Sequence, residues 1–326
     1  MPPGSSSDKN GCLGIAIEDA PPAHHNDAAE VPQGADGPLG ARTRRKIALN
    51  FLRSKPALHC RGRMKEANDW TVGAMSVSAI LLTTMMHEAV HAMTCWVLGG
   101  SIQSFSVAHV RCEVPTLMAY KTVAASATFA NLIVAALLCG WLRSGRFHDD
   151  RRRFFVWLLF NFNLLLGAGY LFASGITGAG DWIVVLRGWE PRWAYQLGLV
   201  LFGAVLLLAG VAWSLSEFGR LVPSEAPKPI GIAQRISLVC YVSASAAMFV
   251  VGCTHPNGPF AFPAVVGLIA AIGGLSPLLW MMQWFRADVF VPRGETPLAI
   301  GPSRIAFAAA VGLLAFASIV NYVGRA

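Results

Sequence analysis

The chain has 326 residues, of which 54% are hydrophobic and only 13% charged, and its mean hydropathy is +0.50. Soluble domains carry about 25% charged residues, so this composition excludes a soluble globule and leaves a membrane protein. The 26 Lys and Arg against 18 Asp and Glu, a net charge of +8, would suggest nucleic acid as the partner of a soluble chain. In a membrane protein the same excess records which loops face the cytoplasm, and no nucleic-acid partner is expected.

Residues 1–66 are rich in Pro, Gly, Ser, Asp and Ala and then become strongly basic (RTRRK, RSK, RGRMK). This pattern predicts a disordered tail ending in a basic juxtamembrane stretch, without the compact order of a cleavable signal peptide. Apolar runs long enough to cross the roughly 30 Å hydrocarbon layer then recur. They predict spans near 72–99, 122–142, 154–176, 193–216, 236–254, 260–285 and 303–323. The count is seven, or six if one of the later Pro- or Gly-rich runs is re-entrant. The expected architecture is an all-α, multi-pass integral membrane protein. Its parts are the tail (1–66), a three-helix core (67–190) and accessory transmembrane helices (191–326).

Trp70, Trp141, Trp157, Trp193, Trp280 and Trp284 fall near predicted span ends, where aromatic belts form. Seven cysteines without a C-x-x-C pair, five of them (Cys95, Cys112, Cys139, Cys240, Cys253) in or beside apolar runs, predict small apolar side chains and no disulfide framework. With the tail in the cytoplasm, 21 of the 26 basic residues fall on the cytoplasmic side, the arrangement that the positive-inside rule favours.

The first span contains MSVSAILLTTMMHEAVHAMTCWVLGG, with His87, Glu88 and His91 as its chemically distinctive residues. Positions 87 and 91 lie one helical turn apart on nearly the same face, about 6 Å along the axis. Two imidazoles so placed reach one zinc ion, and Glu88 reaches a zinc-activated water as general base. This composition gives H-E-x-x-H by chance roughly 0.005 times in such a chain, and a carboxylate within a span is costly unless it faces a cavity, a metal or a partner. A third protein ligand is needed. The glutamates after the motif lie outside the predicted spans. Asp181, in FASGITGAGDWIVVL, follows Gly175, Gly178 and Gly180, which allow the backbone to turn and approach closely.

These residues resemble the site-2 protease family of intramembrane zinc metallopeptidases, over roughly residues 72–190. HEAVH is similar to that family's H-E-x-G-H, LGGSIQSFSV (98–107) to the short β-type segment after it, and ASATFANLI to a second span that ends in Asn. FNFNLLLGAGYLFASGITGAGDW is similar to an Asn-containing third span followed by Asp-Gly. The sequence departs from the pattern at Val90, at Trp182 after Asp181, and in lacking a Pro beside the Asn stretch.

The resemblance implies Zn2+ held by His87, His91 and Asp181, with Glu88 catalytic. Asn161 or Asn163 would match the family's Asn stretch, and Asn131 or Asn163 would bind substrate backbone or the oxyanion; a helix-to-helix hydrogen bond is the alternative role for each. It also implies a site that opens to the cytosol, whereas the charge distribution places that end of the first span outside. The expected function is hydrolysis of peptide bonds in membrane-protein or membrane-associated substrates. The alternatives are a catalytically inactive membrane scaffold, a metal-ion transporter using the same His pair, and a zinc protease acting on prenylated proteins.

Overall fold

A computed structural model describes residues 67–145, 147, 149–222, 228–254, 272–284 and 300–323. The tail at 1–66 and half of the 260–285 run lie outside the described residues, and Pro277–Trp280 with the 3-10 turn Met281–Trp284 is the main described part of that run. The elements are α1 (Asp69–Val97), β1 (Ser101–Phe105), β2 (Val110–Glu113), α2 (Leu117–Arg143), α3 (Asp150–Thr177) and α4 (Asp181–Val185). They continue with α5 (Arg192–Gly219), α6 (Pro229–Cys253), α7 (Pro277–Trp280) and α8 (Arg304–Val323). Among the described residues six helices, α1, α2, α3, α5, α6 and α8, are long and apolar enough to cross a membrane. The protein is membrane-embedded and essentially all-α, and its short sheet follows the first helix as expected.

Local chemistry starts each inner helix. Asn68 caps α1 by accepting from Thr71 N at 3.0 Å, Thr116 caps α2 through Ala119 N, and Asp149 caps α3 through Arg151 N. Within α1, Ser78, Thr83 and Thr84 donate to carbonyls one turn back, so these hydroxyls are satisfied without water. Gly178, at φ +65°, closes α3 in the left-handed conformation.

Helices α1 and α3 are innermost: 72% of the most apolar window of each is buried, against 22% for α5 and 17% for α8. Trp157, Phe154, Phe162, Phe218, Ile80 and Leu81 fill the main core. Trp157 is therefore not a belt residue as its position suggested. It is fully buried and donates through Nε1 to Ser214 O of α5.

Contacts at the helix ends give the directions. The start of α8 meets the start of α1 (Asn68 N to Ile300 O, Ser303 N to Thr71 Oγ1), and Arg235 near the start of α6 pairs with Asp69 at 2.6 Å. At the opposite end Asn321 of α8 bonds Val107 N, Val251 O and Thr254 Oγ1. Helices α1, α6 and α8 thus run parallel, and Thr254 and Ile300 lie at opposite ends of the bundle. Arg143, Arg151, Arg152, Arg153, Arg220, Lys228, Arg235 and Arg304 collect at the end where α1 begins. Arg111, Lys121, Arg187 and Arg192 are at the other.

At that other end β1 and β2 form an antiparallel hairpin with a bulge between Ile102 and Ser104. Here the reading of the cysteines is corrected: Cys95 and Cys112 form a disulfide, with Cα atoms 6.1 Å apart. Cys112 lies on β2, and the hairpin folds that strand back over the last turn of α1, a proximity that the separation of 17 residues does not reveal. Cys139 and Cys240 are buried and free, in keeping with small apolar side chains. Cys253 is free and exposed.

Candidate metal centre

Helix α1 carries His87 and His91 on one face, both 7% exposed, toward its C-terminal end. Asp181 reaches them from another part of the chain. After α3 ends at Gly178, Gly180 turns the backbone at φ +85° and ψ −173°, a conformation open essentially to glycine alone, and α4 begins at Asp181. A Cβ on Gly180 would lie 3.0 Å from the Tyr170 hydroxyl and 3.1 Å from Ser174 Oγ, so close approach demands glycine as well. Trp182, where the family pattern has Gly, anchors α4 by donating from Nε1 to Thr128 Oγ1 at 3.1 Å and by packing edge-on against Phe129. A small core of Leu171, Leu186 and Leu199 lies against Trp182.

The result is a buried cluster in which one ligand atom each of His87, His91 and Asp181 lies within 4.8 Å of the others, a group that could hold a metal ion. Asp181 Oδ2 is 3.1 Å from His91 Nε2 and 3.9 Å from His87 Nε2. Ligands of a tetrahedral ion bound at about 2.0 to 2.1 Å are about 3.3 Å apart, so these separations bracket what one small cation needs.

The protons point the same way. His91 Nδ1 is 2.7 Å from Val123 O, a carbonyl that only accepts, so Nδ1 bears hydrogen. In the neutral ring the Nε2 lone pair then faces a carboxylate oxygen 3.1 Å away, a contact that a metal ion between them, or the second proton of an imidazolium, satisfies. His87 is held comparably. The Asn131 amide nitrogen lies 3.1 Å from its Nδ1, while Asn131 Oδ1 is buried without a partner. Turning that amide end for end would put Oδ1 against a protonated Nδ1 and leave His87 Nε2 as a ligand, with the amide nitrogen moved to the position where Oδ1 has no partner.

Glu88, next to the first histidine, is half-buried and lies within electrostatic range of both His91 and Asp181. The two asparagines part company. Asn131, fully buried, supports His87, whereas Asn163 donates to Thr83 Oγ1 at 3.3 Å and to Leu159 O, one turn of α1 before the histidine. Asn161 belongs to the α3–α5 seam, where its Oδ1 accepts from Ser214 Oγ. Asn131 and Asn163 are thus each engaged with a residue of α1, the helix-to-helix alternative for each.

One residue of the site escaped sequence reasoning. The Tyr170 ring stands edge-on to His87 with centroids 5.8 Å apart, and its hydroxyl lies against Gly180, within electrostatic range of the Asp181 carboxylate. Its signal was a phenol in an apolar, glycine-rich span, because a buried hydroxyl needs a partner.

Comparison of the chain with protein-family models, with curated proteins and with solved structures finds no match.

Proposed function

We propose that the chain is an intramembrane zinc endopeptidase of the site-2 protease type, acting on membrane-protein or membrane-associated peptide substrates. The observation that supports this most is the meeting of the His91 Nε2 lone pair with the Asp181 carboxylate in the cluster that also holds His87, with Glu88 adjacent. Two imidazoles and one carboxylate make a donor set of the catalytic type, with a fourth position left for chemistry. When bound, zinc polarises the scissile carbonyl and brings the pKa of a water toward about 7.

The chain's own residues do the rest. Val123 O and Asn131 orient the imidazoles so that both Nε2 atoms converge with Asp181. The Glu88 carboxylate accepts a proton from the attacking water as its oxygen bonds to the carbonyl carbon. It then hands that proton to the amide nitrogen as the C–N bond breaks. The cluster lies about 9 Å, six residues, before the end of α1.

We place this end of the bundle outside the cytoplasm of the cell membrane, with the tail inside. Two observations support that orientation: the basic residues gather at the opposite end, and the Cys95–Cys112 disulfide, of a kind that persists in oxidising compartments, is at this one. A transporter would need more cation ligands along a path. Another buried carboxylate of the described spans is Glu217, beside three arginines that repel cations, which weighs against that reading.

The test is metal content by mass spectrometry on detergent-purified protein. One zinc per chain is expected in the wild type and in Glu88→Gln, with loss in His87→Ala and Asp181→Ala. Glu88→Gln should also lose cleavage at least about 100-fold. A wild type without stoichiometric metal would favour the scaffold, and full cleavage by Glu88→Gln would sink the mechanism.

A further inference from the structure

The second concentration of charge lies at the end of the bundle where α1 begins, far from the metal ligands. Arg143 closes α2, Arg153 lies at the start of α3, and Glu217 and Arg220 end α5. Glu217 is 1% exposed and accepts from Arg220 Nη1 at 3.1 Å, while Arg143 Nε and Arg153 Nη2 stand at 3.7 and 3.8 Å, charge neighbours beyond hydrogen-bond reach. The carboxylate is thereby compensated. Arg143 and Arg220 are in a different state: their side chains are 55% and 43% exposed, and Glu217 provides one negative charge for the two.

Their surroundings fix the depth and the neighbour. The Arg143 guanidinium lies 4.2 Å from the ring centroid of Trp213, which braces it, and Trp141 beside it is half-exposed. Tryptophans at span ends sit at the headgroup level. Helix α5 is mostly uncovered by protein, and exposed Phe202 and partly exposed Leu206 share the helix face of Trp213 and Arg220. An apolar strip that ends in two guanidiniums matches a lipid, with acyl chain along that face and phosphate at the arginines. Guanidinium forks bind phosphate oxygens in pairs, and the charge that Glu217 leaves unbalanced prefers a headgroup with net negative charge.

We propose that Arg143 and Arg220 form a binding site for the phosphate of an anionic phospholipid in the leaflet where α1 begins. The experiment is native mass spectrometry of the full-length protein in detergent. Phosphatidylglycerol and phosphatidylcholine are offered in equal amounts, with and without millimolar inorganic phosphate. The wild type should retain roughly tenfold more phosphatidylglycerol, unaffected by inorganic phosphate. Arg143→Gln, which spares the Arg220–Glu217 bond and so keeps the fold, should lose most of that preference, and Arg143→Gln/Arg220→Gln all of it. Lys121→Gln/Arg192→Gln at the other end should retain it. Equal retention of the two lipids, displacement by inorganic phosphate, or an undiminished preference in Arg143→Gln would each overturn the proposal.

Discussion

The hydrogen atom on His91 Nδ1 decides more about this protein than any other single atom. A carbonyl at 2.7 Å compels it, and with it the Nε2 lone pair is committed to whatever sits beside Asp181. Partners that orient a ligand are worth about 10- to 100-fold in metal affinity. Asn131→Ala and Tyr170→Phe should therefore each weaken zinc binding by about that factor without removing a ligand, measured by competition with a chromogenic chelator. Unchanged affinity in both would mean that neither side chain orients the site. His87, Glu88 and His91 were legible in the sequence because a helix turns a spacing of four into proximity. Tyr170 was not, because its approach to Asp181 depends on the turn at Gly180 folding the chain back onto α3.

Among the elements, the hairpin and α4 do what the long helices cannot, since both bring chain from outside the spans against the end of α1. The hairpin is tied at two points, by the Cys95–Cys112 bond and by Asn321 accepting from Val107 N at 2.9 Å. Closing a loop of this size restricts the unfolded chain by about 3 kcal/mol. Cys112→Ser should lower the thermal midpoint in detergent, and a reductant should lower the wild type equally while leaving Cys112→Ser unmoved. A reductant effect that persists in Cys112→Ser would assign the loss elsewhere. The β-type segment after α1 was expected from the resemblance of LGGSIQSFSV to the segment that follows H-E-x-G-H in the site-2 protease family. The disulfide was missed because cysteine spacing does not report which strand folds over which helix turn.

At the scale of the whole molecule, the two inner helices α1 and α3 are mostly buried by protein, while α5 and α8 are mostly uncovered. The ends of the bundle differ in charge, with arginines where α1 begins and the disulfide and the candidate metal ligands where it ends. In intact cells treated with an impermeant reductant, an impermeant maleimide should modify Cys112, while Cys12 and Cys60 of the tail should react only after permeabilisation. Peptide mass spectrometry reads the positions, and the reverse pattern would invert the orientation.

Hydropathy along the chain was enough to locate the membrane helices, since length and apolar content are local properties and five of the described spans begin and end within a few residues of expectation. The sixth, α6, begins seven residues earlier, at Pro229, because a proline at the first turn lacks no needed donor. Spacing within one helix likewise sufficed for His87 and His91. The meeting of Asp181 with them, the burial of Trp157 and the pairing of Cys95 with Cys112 all depend on segments distant in the chain. Such contacts are set by how helices pack and loops close, quantities that no local pattern encodes, and they belong to the tertiary structure alone.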